Sequence, residues 1–213
     1  METSHLFVCL GDSLTAGSPG FSGYGGWMGN PASQYSYYLD LLAKQEFPAV
    51  LAEFLNYGVG GDVVKQMFDR FHRDVLTQLE DEGSLDYVLV MGGNNDVVWH
   101  DASPRQALEE LEALFNAITV AGAKVIGLEI LPVTCAPEII EKIRETNDGI
   151  HQLGESIGFP VVSLFDQLAD ENQCLASPYD SGDGEHLSVH GYEIVGTIIY
   201  NAVIRDILAK MAE

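Results

Sequence analysis

The sequence predicts an α/β fold in which a parallel sheet is sandwiched between helices. Two observations carry that prediction. Short runs that are apolar throughout recur along the chain, and longer segments with helical spacing separate them, strand and helix alternating about five times. Strands without polar alternation are those whose two faces are both covered by helices.

The first run is Leu6-Phe7-Val8-Cys9-Leu10. Residues 17–36 then break the rhythm with a glycine-rich insert carrying Phe21, Tyr24, Trp27 and Tyr35, and a loop of that length within a domain is commonly functional. Glu53-Phe54-Leu55-Asn56-Tyr57 is a weaker strand, followed by a helical segment around 62–80. Tyr87-Val88-Leu89-Val90-Met91 is the third strand. Ser103-Pro104-Arg105-Gln106 reads as a capping box with proline at the first helical position. Leu108, Leu111, Phe115 and Ile118 follow at helix spacing, and Ala121-Gly122 closes the helix. Val125 to Ile130 supplies a fourth strand, 138–157 a helix, and Val161-Val162-Ser163-Leu164-Phe165 a fifth strand. The last helix opens at Ser188 and sets Tyr192, Val195, Ile199, Ala202 and Val203 on one side.

At 213 residues, with no linker or internal repeat, 1–213 reads as a single domain. A content of 46% hydrophobic and 20% charged residues excludes disorder and coiled coil, and no apolar run approaches the ~20 residues of a membrane span. Charge is the abnormal quantity: ten Lys and Arg against 32 Asp and Glu give a net charge of −22. Such a surface repels nucleic acid and anionic membranes, which leaves a small molecule as the expected partner. Three cysteines without a CxxC spacing remove zinc-ribbon and thioredoxin readings. No metal or cofactor is expected. The opening METSHLFVCLGDS has neither a basic n-region nor a small-residue cleavage site, so a cytoplasmic location is the expectation.

Ligands of such sheets bind beyond the carboxyl ends of the strands. After the first strand, Gly11-Asp12-Ser13-Leu14 places Ser13 at a strand-to-helix turn, a position that suits a nucleophile because the helix dipole favours developing negative charge. A serine needs a base. Of the six histidines, His100 follows the third strand beside Trp99 and could reach the crevice, while His186 in Asp183-Gly184-Glu185-His186 has a carboxylate three residues earlier that can fold back onto its imidazole. After the second strand, Gly60-Gly61 exposes bare backbone N–H groups; after the third, Asn95 offers a side-chain amide. With the N–H of Ser13, Gly61 and Asn95 would complete an oxyanion hole. Each residue alone also has a plain structural reading, as a cap, a turn glycine or a surface acid. Their coincidence at one sheet edge favours chemistry.

Gly11-Asp12-Ser13-Leu14, Asn56-Tyr57-Gly58-Val59-Gly60-Gly61-Asp62, Gly93-Asn94-Asn95-Asp96 and Asp183-Gly184-Glu185-His186-Leu187 together resemble the GDSL esterases, or SGNH hydrolases, in the family's order and from Phe7 to Gly196. The resemblance implies a three-layer α/β/α sandwich with five parallel strands, flavodoxin-like in build. It also implies a Ser13–His186–Asp183 triad, an oxyanion hole of Ser13, Gly61 and Asn95, and hydrolysis of carboxylic esters through an acyl-enzyme. Short acyl groups, acetyl above all, on neutral alcohols or sugars fit the net charge best. A lysophospholipase or thioesterase activity of the same family is the alternative. Rivals of other classes are a flavodoxin-like binding module and a metal hydrolase built on Asp183, His186 and His190. Trp99, Trp27 and Leu131 are candidate substrate contacts, while Glu129 is expected at the sheet rim in water and Asp12, Asp62 and Asp96 as turn caps.

Overall fold

The computed structural model describes residues 4–20, 29–77 and 85–213. Five parallel strands form one sheet: β1 (His5–Gly11), β2 (Ala52–Gly58), β3 (Leu85–Met91), β4 (Lys124–Leu128) and β5 (Val161–Val162), in the order β2-β1-β3-β4-β5. The helices are α1 (Ser13–Ala16), α2 (Tyr35–Glu46), α3 (Val64–Arg70), α4 (Asn94–Val98), α5 (Pro104–Val120), α6 (Pro137–Ile157), α7 (Phe165–Leu168), α8 (Val189–Ile199) and α9 (Arg205–Met211). The chain reverses its order beside β1, so the crevice beyond β1 is where the topology opens a site.

The continuous apolar runs are explained by two cores. Leu6, Val8 and Leu10 of β1 join Val88 and Val90 against Val64 and Met67 of α3, Leu111 and Phe115 of α5, and Ile143 and Ile150 of α6. Phe7 and Cys9, pointing the other way, join Leu89, Met91, Ile126 and Leu128 against Tyr35 and Leu39 of α2 and Tyr192, Val195 and Ile199 of α8. Helices therefore cover both faces, and period-two alternation of polarity has nothing to mark. Strand β2 read weakly because it is an edge strand paired on one side only. The α5 capping box forms as its sequence implies, with Gln106 N donating to Ser103 Oγ at 3.3 Å and Ser103 N to Gln106 Oε1 at 3.0 Å.

Several expectations need correction. Strand β5 stops at Val162, because the amides of Leu164 and Phe165 turn to the Glu129 carboxylate at 2.8 and 2.9 Å and start α7 instead. Glu129 is accordingly not in water at the rim: it is 9% exposed, accepts those two amides, and contacts His151 Nε2 at 2.8 Å. Strand β4 ends at Leu128; Ile130 is then held by Asn147, whose side chain takes the place of a neighbouring strand. In the last helical stretch a π turn, Tyr200–Ile204, shifts the buried stripe from the expected Ala202 and Val203 to Tyr200, Ile204 and Leu208. The helix expected over 62–80 is α3 followed by a π turn, Phe71–Leu76; its last expected residues lie outside the described ones. Tyr35 and Ser36, counted in the insert, begin α2, and residues 21–28 lie outside the described residues.

Candidate active site

Strand β1 ends at Gly11, where a Cβ would stand 2.1 Å from Thr15 Oγ1 and 2.5 Å from the Met91 carbonyl oxygen. Only glycine lets α1 pack this closely on the strand end. Asp12 caps the turn, its Oδ1 accepting from Leu14 N at 2.9 Å, and Ser13 opens α1.

His186 arrives on the loop before α8, which is pinned at several points. Asp180 Oδ1 accepts from Gly182 N at 2.8 Å and Gly184 N at 3.0 Å; Ser181 N donates to His186 O at 2.9 Å, and Thr134 N to Gly184 O at 2.7 Å. The structure brings Ser13, His186 and Asp183 together: His186 Nε2 lies 3.0 Å from Ser13 Oγ, and Nδ1 lies 2.7 Å from Asp183 Oδ2. The other oxygen of Asp183 accepts from the amides of His186 at 2.8 Å and Glu185 at 3.0 Å. Partial burial works against ionising Asp183, but those two amides and the imidazole outweigh it and bring its pKa down to about 2. An ionised Asp183 accepts the Nδ1 proton, which leaves Nε2 as acceptor for the Ser13 hydroxyl.

The loop after β2 passes close to this pair. A Cβ on Gly60 would be 3.9 Å from Ser13 Cβ, and Gly61 takes the left-handed conformation at φ +84° with open space where a side chain would stand. From the other side Asn95, buried at the start of α4, donates to Asp62 O at 2.9 Å and reaches Asp12 Oδ2 at 3.4 Å. Asp12 is buried as well. Burial pushes its pKa up to about 7; the Leu14 amide opposes that rise, and the negative charge of Glu185 adds to it.

Of the candidate substrate contacts, Trp99 is 65% exposed and donates from Nε1 to Glu185 Oε1 at 2.8 Å, which ties the end of α4 to the His186 loop. Trp27 lies outside the described residues. Leu131 is a correction: it has no exposed surface and packs in the core cluster that also holds Leu14 and Leu187, because the chain after β4 turns inward. His190 faces away, 3.4 Å from Glu193 Oε2 and tilted against Tyr179, and among the described residues no three His, Cys, Asp or Glu converge as a metal site. Asp62 is more than a turn cap. Its carboxylate holds Arg70 at 2.5 Å, in a buried ion pair that sequence reasoning missed. The available signal was an arginine at the spacing of Val64 and Met67, on a helix face that is otherwise apolar. A cavity of ≈ 460 Å³ lined by Tyr87, Lys124, Phe159 and Lys210 lies at the amino ends of the strands, the wrong end for this chemistry.

The sequence model of the GDSL-like lipase/acylhydrolase family matches residues 9–194. Solved structures share the fold at low identity. An acetyl xylan esterase from Geobacillus stearothermophilus superposes with a TM-score of 0.75 at 19% identity, over 95% of this chain and 96% of its own. A GDSL-like lipase from Bacteroides thetaiotaomicron gives 0.71 at 20%, over 94% and 88%. An α/β hydrolase from the metagenome of Lake Arreo, Spain, gives 0.72 at 20%, over 95% and 96%. No curated protein sequence matches.

Proposed function

The chain belongs to the GDSL-like lipase/acylhydrolase family, a family of carboxylic ester hydrolases, and from that membership we propose that Ser13, His186 and Asp183 cleave short-chain acyl esters of neutral alcohols or sugars. In this reading His186 Nε2 removes the Ser13 proton as Oγ attacks the ester carbonyl. The oxyanion that forms is met by the N–H groups of Ser13 and Gly61 and by the Asn95 amide. Imidazolium, stabilised by Asp183, then gives its proton to the leaving alcohol, and the acyl group stays on Ser13. Water repeats the sequence: His186 takes its proton, hydroxide adds to the acyl carbon, and Ser13 leaves with the proton returned.

The observation that carries the reading is the 3.0 Å approach of His186 Nε2 to Ser13 Oγ, with Asp183 held on the opposite nitrogen at 2.7 Å. The acetyl preference is supported by the acetyl xylan esterase among the structural neighbours and by the net charge of −22, which disfavours anionic thioesters and phospholipids. Trp99 is the candidate platform for the alcohol part, since an exposed indole fixed by a carboxylate offers a sugar both a flat apolar face and an acceptor. A panel of p-nitrophenyl esters of increasing chain length tests both parts. Acetate should be the best substrate and Ser13→Ala should abolish its hydrolysis. A preference for long chains would favour the lysophospholipase alternative, and turnover surviving Ser13→Ala would refute the mechanism.

A further inference from the structure

We propose that Arg70 is a positioning residue that holds the three oxyanion donors in register, an inference that rests on the reading of Ser13, Gly61 and Asn95 given above. The chain has ten Lys and Arg, and among them Arg70 is the one buried, at 5% exposure. It stands on the inner side of α3 with Val64 and Met67, where an apolar side chain would cost less. A π turn begins immediately after it, so Phe71 and Val75 still reach the core although Arg70 also points inward.

The partners of this guanidinium explain its place. Nε donates to Asp62 Oδ2 at 2.5 Å, and Nη2 donates to the Gly11 carbonyl at 2.9 Å. The same Gly11 oxygen accepts from Val59 N at 3.0 Å, so the loops after β1 and β2 are tied at one point. The third loop is bound through Asp62, whose carbonyl takes the Asn95 amide at 2.9 Å. Asp96 closes the circuit by accepting from Val64 N, at the start of the helix that carries Arg70, at 3.1 Å. The Ser13 amide lies two residues beyond one Arg70 partner and the Gly61 amide one residue before the other; Asn95 hangs on the second. One planar fork therefore ties two of the strand ends that supply donors directly, and the third through Asp62. Lysine carries its three donors on one nitrogen at the end of a flexible stem and lacks the planar fork by which Arg70 reaches carboxylate and carbonyl from two nitrogens. Arg70 touches no reacting atom in this scheme; it acts through Gly11 and Asp62.

The test is a double-mutant cycle with Asn95→Ala on p-nitrophenyl acetate, with active sites counted by a serine-directed phosphonate. Arg70→Met should lower kcat per active site by roughly 10–100-fold, the scale of a small misplacement, and leave KM within about threefold. On the Asn95→Ala background the same substitution should cost less than about threefold, because the donor array it positions is already broken. Arg70→Lys should recover part of the loss, and it carries the same cycle if Arg70→Met does not fold. Penalties that multiply fully across the cycle, or a loss wholly accounted for by fewer active sites, would reduce Arg70 to a structural residue and overturn the proposal. Wild-type kcat in the Arg70 variants while Ser13→Ala is inactive would sink this inference alone. Activity persisting in Ser13→Ala would instead sink the esterase mechanism beneath it.

Discussion

The side-chain amide of Asn95 donates to the Asp62 carbonyl at 2.9 Å and reaches Asp12 Oδ2 at the longer distance of 3.4 Å, so both of its N–H groups face partners that fix its orientation. In the proposed mechanism the long contact to Asp12 is the one an oxyanion replaces, while the shorter bond to Asp62 keeps the amide aimed. Asn95→Ala is expected to lower kcat by ~10²–10³ with little change in KM, as for removal of other oxyanion donors. Steady-state kinetics on p-nitrophenyl acetate checks this; a change confined to KM would place Asn95 in ground-state binding.

Asp183 is ionised far below neutrality, held by two amides and the imidazole. Asp183→Asn keeps the shape but offers Nδ1 the wrong partner, so kcat should fall by roughly 10²–10⁴ while the fold persists. Circular dichroism and kcat measured on the same sample separate the two effects. A variant within threefold of wild type would remove Asp183 from the mechanism.

Burial raises Asp12 from 3.8 to about 7. A carboxyl that holds its proton more tightly folded than unfolded stabilises the fold below about pH 4, and that contribution disappears as pH rises through about 7. Asp12→Asn should therefore flatten the pH dependence of stability between pH 5 and 8. Urea midpoints of wild type and variant at the two pH values report it: the wild type should lose more on going to pH 8. Equal losses would show that Asp12 titrates outside this range.

Gly58 ends β2 against α1, and a Cβ there would meet Ala16 N at 2.1 Å and Ala16 Cα at 2.6 Å. The obstacle is backbone, which cannot swing aside as a side chain does. Gly58→Ala should destabilise the protein by about 1–3 kcal/mol or more and displace α1, with activity falling alongside. An unchanged melting temperature would mean that the strand end yields more easily than its packing suggests.

The parts of this molecule that were legible in the sequence are those whose signal is local. Apolar runs mark four of the five strands, the edge strand β2 more weakly, and Ser103-Pro104-Arg105-Gln106 marks the start of α5 because a capping box is written in four consecutive residues. Ser13, Asn95 and His186 were legible because each follows a strand or precedes a helix in turn chemistry. What was misread depends on distant partners. Glu129 looked like an acid leaving an apolar run; its partners His151, Leu164 and Phe165 lie 22 to 36 positions on. Arg70 pairs with Asp62 but also with Gly11, 59 positions away. The π turn at Tyr200–Ile204 adds a residue to the helical turn, which no count at helix spacing anticipates. Leu131 had the right address at a strand end, but the direction of the chain beyond β4 is set by Asn147.

The most direct measurement is intact-protein and peptide mass spectrometry after reaction with a serine-directed fluorophosphonate. The proposed mechanism predicts one adduct per chain, carried by Ser13, absent in Ser13→Ala and formed far more slowly in His186→Ala. An adduct on another residue, or one that forms as fast without the imidazole, would contradict it.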